Sequence, residues 1–315
     1  MNLVHVNGAD LAYDEAGAGP PVVFVHAGAA DRRMWAAQFD GLADTHRVIR
    51  YDQRGFGDSS DAVGDHCHYE DLLGLMDVLG VGRAALVGCS MGGSYALEAA
   101  LAAPDRVSGL VLICSGLSGR EWPESMRARA AREVHSAVPA ERLRAYAART
   151  RAPDPADVEA MALAQARFLV PEPSELVLDM LRGVFRRTWT GPQRTERHLE
   201  PGPAGRLAEV VAPTLVVNGL LDVPEIQEVS GLLSTGITGA RRLDLPDTGH
   251  LPPVERPDRI TAALGGFLAE RHSGNEPACA SLTGKQALSR RADDGLQLEH
   301  RRAGSARLGA HVRAA

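Results

Sequence analysis

Segments with strand character alternate with amphipathic segments over the first 118 residues. The strand-like segments end near Val25, Asp52, Cys89 and Cys114. The runs before Val25 and Cys114 are continuously apolar, which is typical of strands buried on both faces of a sheet. Between them, residues 69–79 place leucine and methionine at helical spacing. This alternation predicts an α/β fold, in which a mostly parallel central sheet carries helices on both faces.

The pattern changes after Ser118. From 119 to 204 no segment has strand character, whereas Asp154-Pro155 and Pro173-Ser174-Glu175 are typical helix starts. Strand character returns at 213–219 and 241–245, and a closing helix follows. We therefore predict a core of residues 1–118 and 205–271, interrupted by an all-helical cap at 119–204.

Residues 272–315 differ from the rest of the chain in composition. Ser, Gly, Ala, Arg and Gln dominate there, and apolar residues occur singly. Such a segment buries too little apolar surface to offset the entropy of ordering, so we predict a disordered, dispensable tail. The tail contains seven Lys/Arg and four Asp/Glu, so it is basic. This basic character leaves open a role as an arm that interacts with a partner.

A serine stands where the third strand-like segment turns into a helix, in Gly88-Cys89-Ser90-Met91-Gly92. A residue at such a sharp turn takes a strained backbone with positive φ. Strand and helix then approach so closely that the positions two before and two after the serine need glycine. The pattern predicts an exposed nucleophile, Ser90, at the edge of the sheet.

A serine hydroxyl needs a base, and the base needs an acid to fix its tautomer. His250 follows the last strand, and Asp222 follows the strand before it. Both therefore lie where a parallel sheet exposes its carboxyl ends, in the chain order Ser, Asp, His. The alternatives are that Asp222 only caps the helix at Pro224, and that His250 is an ordinary surface histidine.

The oxyanion formed by attack on a carbonyl needs N–H donors. We assign one donor to the backbone of Met91, directly after the serine. The other comes from the loop after Val25, and we choose Gly28, with Ala27 or Ala29 as alternatives. His26 is expected to have a structural role, binding the backbone of that loop.

Three other groups of residues invite a functional interpretation. His66-Cys67-His68, with Glu70 and Asp71, has a metal-like composition but starts an amphipathic helix, so we expect no metal. Asp31-Arg32-Arg33 is interpreted as a solvated loop rather than as a clamp for an acidic substrate. Five aromatic residues either line an apolar pocket under the cap or pack in the core, namely Trp35, Trp122, Phe168, Phe185 and Trp189.

The composition restricts the partners. A net charge of −6 gives no reason to expect nucleic acid or an anionic membrane as a partner. The cysteines Cys67, Cys89, Cys114 and Cys279 lack disulfide-framework or metal spacing, so we expect free thiols in a reducing compartment. No secretion signal or membrane-spanning run is recognisable, which favours a soluble, cytoplasmic protein. We expect no cofactor, and the oligomeric state stays open.

Together these motifs resemble the α/β-hydrolase fold superfamily, and most closely its capped esterases, lactonases and C–C hydrolases. They are His26-Ala27-Gly28, Asp52-Gln53-Arg54-Gly55-Phe56-Gly57, the elbow at Ser90, Asn218-Gly219-Leu220-Leu221-Asp222, and Gly249-His250. The resemblance implies that serine at position 90 disfavours dehalogenase and epoxide hydrolase chemistry, which use aspartate there. Leu251, where members that cleave ring-fission products usually have tryptophan, weakens that option and leaves enol-lactone hydrolysis open.

The sequence therefore predicts a cofactor-free serine hydrolase that acts with water on a small apolar ester or lactone through an acyl-enzyme. Two other functions stay open. One is a ligand receptor of the same fold with little turnover. The other is a lyase or acyl-transfer cyclase of a biosynthetic pathway that uses the same residues.

Overall fold

The strands of the protein form one large sheet and one small one. A computed structural model describes residues 1–192 and 194–270; the predicted tail, with Cys279, lies outside this range. The strands are β1 (Asn2–Val6), β2 (Ala9–Ala16), β3 (Pro21–Val25), β4 (Arg47–Tyr51), β5 (Gly64–His66), β6 (Ala84–Cys89), β7 (Val107–Ile113), β8 (Arg194–Glu196), β9 (Thr214–Gly219) and β10 (Arg241–Leu245).

Helices connect most of these strands. They are α1 (Ala36–Leu42), α2 (His68–Val78), α3 (Met91–Ala102), α4 (Glu124–Glu133), α5 (Ala140–Ala147), α6 (Pro155–Leu169), α7 (Glu175–Thr190), α8 (Pro224–Gly236), α9 (Pro252–Glu255) and α10 (Pro257–Ala269). None of the described helices has the length and apolar character needed to cross a membrane.

The large sheet has the strand order β1-β2-β4-β3-β6-β7-β9-β10. Pairs β1/β2 and β2/β4 are antiparallel, and every later pair is parallel. This confirms the predicted α/β fold with a mostly parallel sheet. Because β3, β6, β7, β9 and β10 run in the same direction, their carboxyl ends meet at one edge of the sheet.

Both faces of the sheet are buried by helices. Along β3, Val22 and Phe24 belong to one apolar cluster and Val23 and Val25 to the other. Helices α1 and α10 contribute to the first cluster, whereas α2, α3 and α8 contribute to the second. Each fully buried valine or leucine stabilises the fold by about 1.5–3 kcal/mol. A slip of one residue would exchange the two faces, so this burial sets the strand register.

The segment between β7 and β9 contains α4 to α7. Helices α6 and α7 bring Ala162, Leu169 and Leu181 into the same apolar cluster as β6 and β7. Our prediction of an all-helical insertion at 119–204 is wrong in one respect, because β8 lies within it and pairs in parallel with β5. A strand of three residues has too few positions to produce a recognisable alternation of side chains.

The prediction of a solvated loop at Asp31-Arg32-Arg33 is also wrong. Asp31 and Arg32 are buried. Arg32 pairs with three carboxylates: Asp52, Asp14 at 3.0 Å from Nε, and Asp58 at 2.8 Å from Nη1. These partners lie far from Arg32 along the chain and come together only in the fold. The local charge pattern therefore could not predict these ion pairs.

Candidate active site

Ser90 lies between β6 and α3 with φ 53° and ψ −119°, a conformation that L-residues rarely adopt. The surrounding backbone leaves no room for larger neighbours. A Cβ atom on Gly88 would lie 2.3 Å from the Gly92 carbonyl oxygen, and one on Gly92 would lie 2.3 Å from that of Val25. The chain therefore needs glycine on both sides of the turn that lifts Ser90 off the sheet.

Three side chains from separate strand ends meet above the sheet. Nε2 of His250 lies 2.8 Å from Oγ of Ser90, and Nδ1 lies 2.7 Å from Oδ2 of Asp222. A carboxylate only accepts hydrogen bonds, so Nδ1–H donates to Asp222. Nε2 is then left as an acceptor for the serine hydroxyl. Asp222 also accepts from the N–H of Val223 at 2.7 Å, which fixes its other oxygen.

His250 and Asp222 are both buried. Burial alone lowers the pKa of His250, but the charge and hydrogen bond of Asp222 outweigh it and leave the pKa above its usual value. The imidazole is therefore more basic than a free histidine, which suits a group that accepts a proton from a hydroxyl.

The backbone around His250 is held on two sides. The carboxylate of Glu255 accepts from the N–H groups of Gly249 at 2.7 Å and Leu251 at 2.8 Å. The N–H of His250 itself donates to the Leu169 carbonyl at the end of α6, at 2.8 Å. Glu255 was not singled out from the sequence, although it lies only five residues after His250, at the end of the short helix α9.

The loop after β3 lies beside the elbow, and a Cβ atom on Gly28 would lie 3.0 Å from Sδ of Met91. In the described residues, the N–H groups of Gly28 and Met91 donate to no other protein group. The N–H of Ala27 instead donates to Sδ of Met34 at 3.3 Å, which disfavours Ala27 as an oxyanion donor. Ala29 stays an alternative, since it lines the same cavity.

His26 anchors this loop. Its Nδ1 lies 2.8 Å from the Ala27 carbonyl oxygen, and its Nε2 accepts from the N–H of Gln53 at 3.0 Å. Burial lowers the pKa of His26, so the ring is neutral and able to make both contacts. These bonds match the structural role expected from the sequence.

Ser90 and His250 face a cavity of about 740 Å³ between the sheet edge and helices α6 and α7. Of the five aromatic residues considered for a pocket, Trp122, Phe168 and Phe185 line it. Trp35 does not, because it is fully buried against Phe24, with ring centroids 5.0 Å apart. Trp189 does not either, because it packs against Tyr146 in a separate cluster between the helices.

Part of the cavity wall is polar. Oη of Tyr95 donates to Oε1 of Glu196 at 2.5 Å, and Nε2 of His198 lies 3.4 Å from the same oxygen. Beneath them, Nδ1 of His198 lies 2.9 Å from Oε1 of Glu98, a fully buried carboxylate on α3. The Glu98 hydrogen bond and charge raise the pKa of His198. None of these residues was singled out from the sequence.

The motif His66-Cys67-His68, which has a metal-like composition, lies next to Tyr95 of this wall. The rings of His66 and His68 are 4.9 Å apart, and His68 packs on Tyr95 at 4.6 Å. Over the described ranges, the group with metal-ligand spacing is Cys114, Asp222 and His250. There His250 and Asp222 bond to each other, and burial raises the pKa of the Cys114 thiol well above its usual value. Cys67, Cys89 and Cys114 are buried free cysteines.

Comparisons with known proteins agree with this architecture. Residues 20–257 match the family described as alpha/beta hydrolase fold. A protein of Azorhizobium caulinodans named as a carbamate hydrolase, RutD, is 30% identical over 278 residues, covering 86% of this chain and 99% of that protein.

Two solved structures are similar over nearly the same range. A thermophilic esterase from Thermogutta terrifontis is 30% identical with a TM-score of 0.68, and the match covers 86% of this chain and all of that one. An enol-lactonase from Burkholderia xenovorans is 27% identical with a TM-score of 0.64, and the match covers 85% of this chain and all of that one. The chain therefore belongs to the alpha/beta hydrolase fold family.

Proposed function

We propose that the protein is a serine hydrolase that cleaves small carboxylic esters or lactones through an acyl-enzyme. The observation that carries the proposal is the hydrogen-bonded chain from Ser90 through His250 to Asp222, open to a cavity. In this proposal Ser90 is the nucleophile, His250 the general base and acid, and Asp222 the residue that orients His250.

The reaction proceeds in two half-reactions. Oγ of Ser90 attacks the carbonyl carbon while Nε2 of His250 takes the hydroxyl proton, and the N–H groups of Gly28 and Met91 stabilise the oxyanion. The tetrahedral intermediate expels the alcohol, which receives the proton from His250. Water, deprotonated by His250, then attacks the acyl carbon. The second tetrahedral intermediate expels Oγ of Ser90, which takes the proton back from His250, and the acid is released. An ester cleaved in ¹⁸O-water therefore yields an acid with one ¹⁸O, which acyl transfer or a lyase reaction would not give.

The shape of the cavity supports a small, largely apolar substrate. Besides the three aromatic residues, Met126, Leu181, Val184 and Ile226 line it. Its volume of about 740 Å³ is in the range of pockets for compact organic ligands. The similarity to an esterase and an enol-lactonase supports the same two substrate classes.

A fluorophosphonate probe tests the proposal. It should phosphonylate Ser90 of the wild-type protein, located by mass spectrometry, and leave the Ser90→Ala variant unlabelled. In parallel, a panel of aryl esters and lactones should include substrates whose kcat/KM falls by roughly 10³-fold or more in that variant. A folded wild-type protein that neither reacts with the probe nor cleaves any member of the panel would contradict the proposal.

A further inference from the structure

The polar part of the cavity wall, which we call the Glu196 wall, consists of Tyr95, Glu196 and His198 with Glu98 behind them. Oε1 of Glu196 is engaged by Tyr95 and approached by His198. Among the described residues, no donor reaches Oε2 of Glu196. As far as the described residues are concerned, this oxygen can accept a hydrogen bond or a charge contact from a ligand in the cavity.

The Glu196 wall has an excess of negative charge. Glu98 and Glu196 contribute two carboxylates, and His198 contributes one positive charge when protonated. Arg120 also lines the cavity, but it pairs with Glu228 at 2.9 Å. Among these residues the negative charges therefore outnumber the positive ones by one even with His198 fully protonated.

The buried carboxylate of Glu98 fixes the position of His198 in the Glu196 wall. Its carboxylate has no solvent exposure and lies among apolar residues of α3. Burial of a carboxylate is unfavourable unless the group is paired. Both of its oxygens are engaged, by the His198 ring at 2.9 Å and by the N–H of Leu199 at 3.4 Å. Glu98 thus holds His198 beside Glu196 at the cavity surface.

We propose that the Glu196 wall selects ester or lactone substrates that carry a positively charged nitrogen. The inference rests on the proposed function and adds to it a charged end of the substrate, since many of the other residues that line the cavity are apolar. A cation near Oε2 of Glu196 compensates the excess charge, whereas a substrate carboxylate there is repelled. The expected substrate is thus apolar along most of its length and cationic at one end.

Matched pairs of esters test this selection, because a trimethylammonium group and a tert-butyl group have nearly the same shape. On the alcohol side, a choline ester is compared with the 3,3-dimethylbutyl ester of the same acid. On the acyl side, the aryl ester of 5-(trimethylammonio)pentanoate is compared with that of 6,6-dimethylheptanoate. In at least one pair, wild-type kcat/KM should be about fivefold or more higher for the cation. The preference should decrease as salt rises.

In the Glu196→Gln variant, kcat/KM should become equal for the cationic ester and its neutral partner, because the variant lacks the charge that attracts the cation. Glu209→Gln removes an equal charge from an exposed residue outside the cavity and should keep the preference. Equal preference in wild type and Glu196→Gln, or no preference in either pair, would overturn the inference.

Binding to the Ser90→Ala variant separates this inference from the proposed function. By calorimetry, the cationic ester should bind that variant about fivefold more tightly than its neutral partner. The difference should disappear when Glu196→Gln is added. Tighter binding of the cationic ester, together with no turnover of either ester by the wild-type protein, would support the selection by the Glu196 wall and contradict the hydrolase proposal. Turnover of both esters by the wild-type protein, with no difference in binding, would contradict only the selection by the Glu196 wall.

Discussion

At the scale of single residues, the environment of His250 predicts how activity depends on pH. In the proposed mechanism His250 must be neutral to accept the Ser90 proton, so kcat/KM should fall as pH drops through the pKa of His250. Because Asp222 holds that pKa above the usual 6.5, activity should be lost at a higher pH than with an ordinary histidine. The acid limb of a kcat/KM profile for an uncharged ester should have its midpoint above about 6.5. A midpoint well below 6 would contradict this assignment.

Glu255 predicts a second effect on the same profile. Its carboxylate holds the N–H groups on both sides of His250, and its charge helps to raise the pKa of His250. In Glu255→Gln an amide NH₂ faces one of those N–H groups, so one hydrogen bond is lost and the charge disappears. We expect kcat to fall about tenfold, as for the loss of about 1.4 kcal/mol.

The acid limb should also move to lower pH in Glu255→Gln, which a purely structural role would not cause. Glu133→Gln, an exposed residue on α4, serves as the control and should leave both kcat and the limb unchanged. A Glu255→Gln variant with a wild-type acid limb would contradict the electrostatic part of the argument.

Single residues differ in how far the sequence could predict them. Ser90, Asp222 and His250 follow directly from strand ends and a glycine-bounded turn, so their meeting at one sheet edge could be predicted. Arg32 could not, because its partners are set by tertiary contacts rather than by local spacing. Trp35 was ambiguous for the same reason, since an aromatic residue near a strand end suits a core or a cavity equally well. Glu255 was overlooked although its partners Gly249 and Leu251 are close to it in the chain.

At the scale of elements, the contact between the start of α3 and the end of β3 predicts a steric effect. A Cβ atom on Gly92 would lie 2.3 Å from the Val25 carbonyl oxygen and 2.5 Å from that of His26. Both neighbours are backbone atoms, one at the end of β3 and one in the loop after it, and they have little freedom to move. Gly92→Ala should lower the free energy of unfolding by about 1–3 kcal/mol, measured in urea.

Gly82→Ala is the matched control, because its Cβ would have no neighbour within 4 Å. That variant should unfold at the wild-type urea concentration or slightly above it. Equal stability of Gly92→Ala and wild type would mean that the elbow is looser than these distances imply.

The long elements were more predictable than the short ones. Strands with continuous apolar runs, such as β3 and β7, and helices with apolar residues at helical spacing were recognisable because many positions repeat one pattern. The pairing of β5 with β8 joins two three-residue segments that are far apart in the chain. It depends on the path of the whole insertion, so no local pattern could predict it.

At the scale of the whole molecule, the insertion and the sheet meet at the site. The carbonyl of Leu169, which ends α6, binds the N–H of His250, and α7 contributes Leu181, Val184 and Phe185 to the cavity. The position of these two helices therefore affects both His250 and the cavity beside it. This coupling could not be predicted from the sequence, because the orientation of an inserted helical segment is set by contacts across the site.

Arg187 on α7 is the residue that we expect to hold this arrangement. Its guanidinium donates to the carbonyl oxygens of Phe56, Gly57 and Ser59 at 2.6–3.0 Å, and to Asp61 at 2.7 Å. Hydrogen bonds from a charged donor contribute about 1.5–3 kcal/mol each before side-chain entropy is counted. Arg187→Ala should therefore loosen α7 from the loop after β4.

Hydrogen exchange measures this loosening directly. Amides of α7 should exchange at least about tenfold faster in Arg187→Ala, while those of β6 and β7 keep their protection, because only a local opening becomes easier. KM for an ester should rise, since α7 forms part of the pocket wall. Arg186→Ala, a neighbouring exposed arginine, should change neither quantity. Unchanged protection of α7 in Arg187→Ala would mean that apolar packing of α6 and α7 against the sheet, and not the guanidinium, holds the helices over the site.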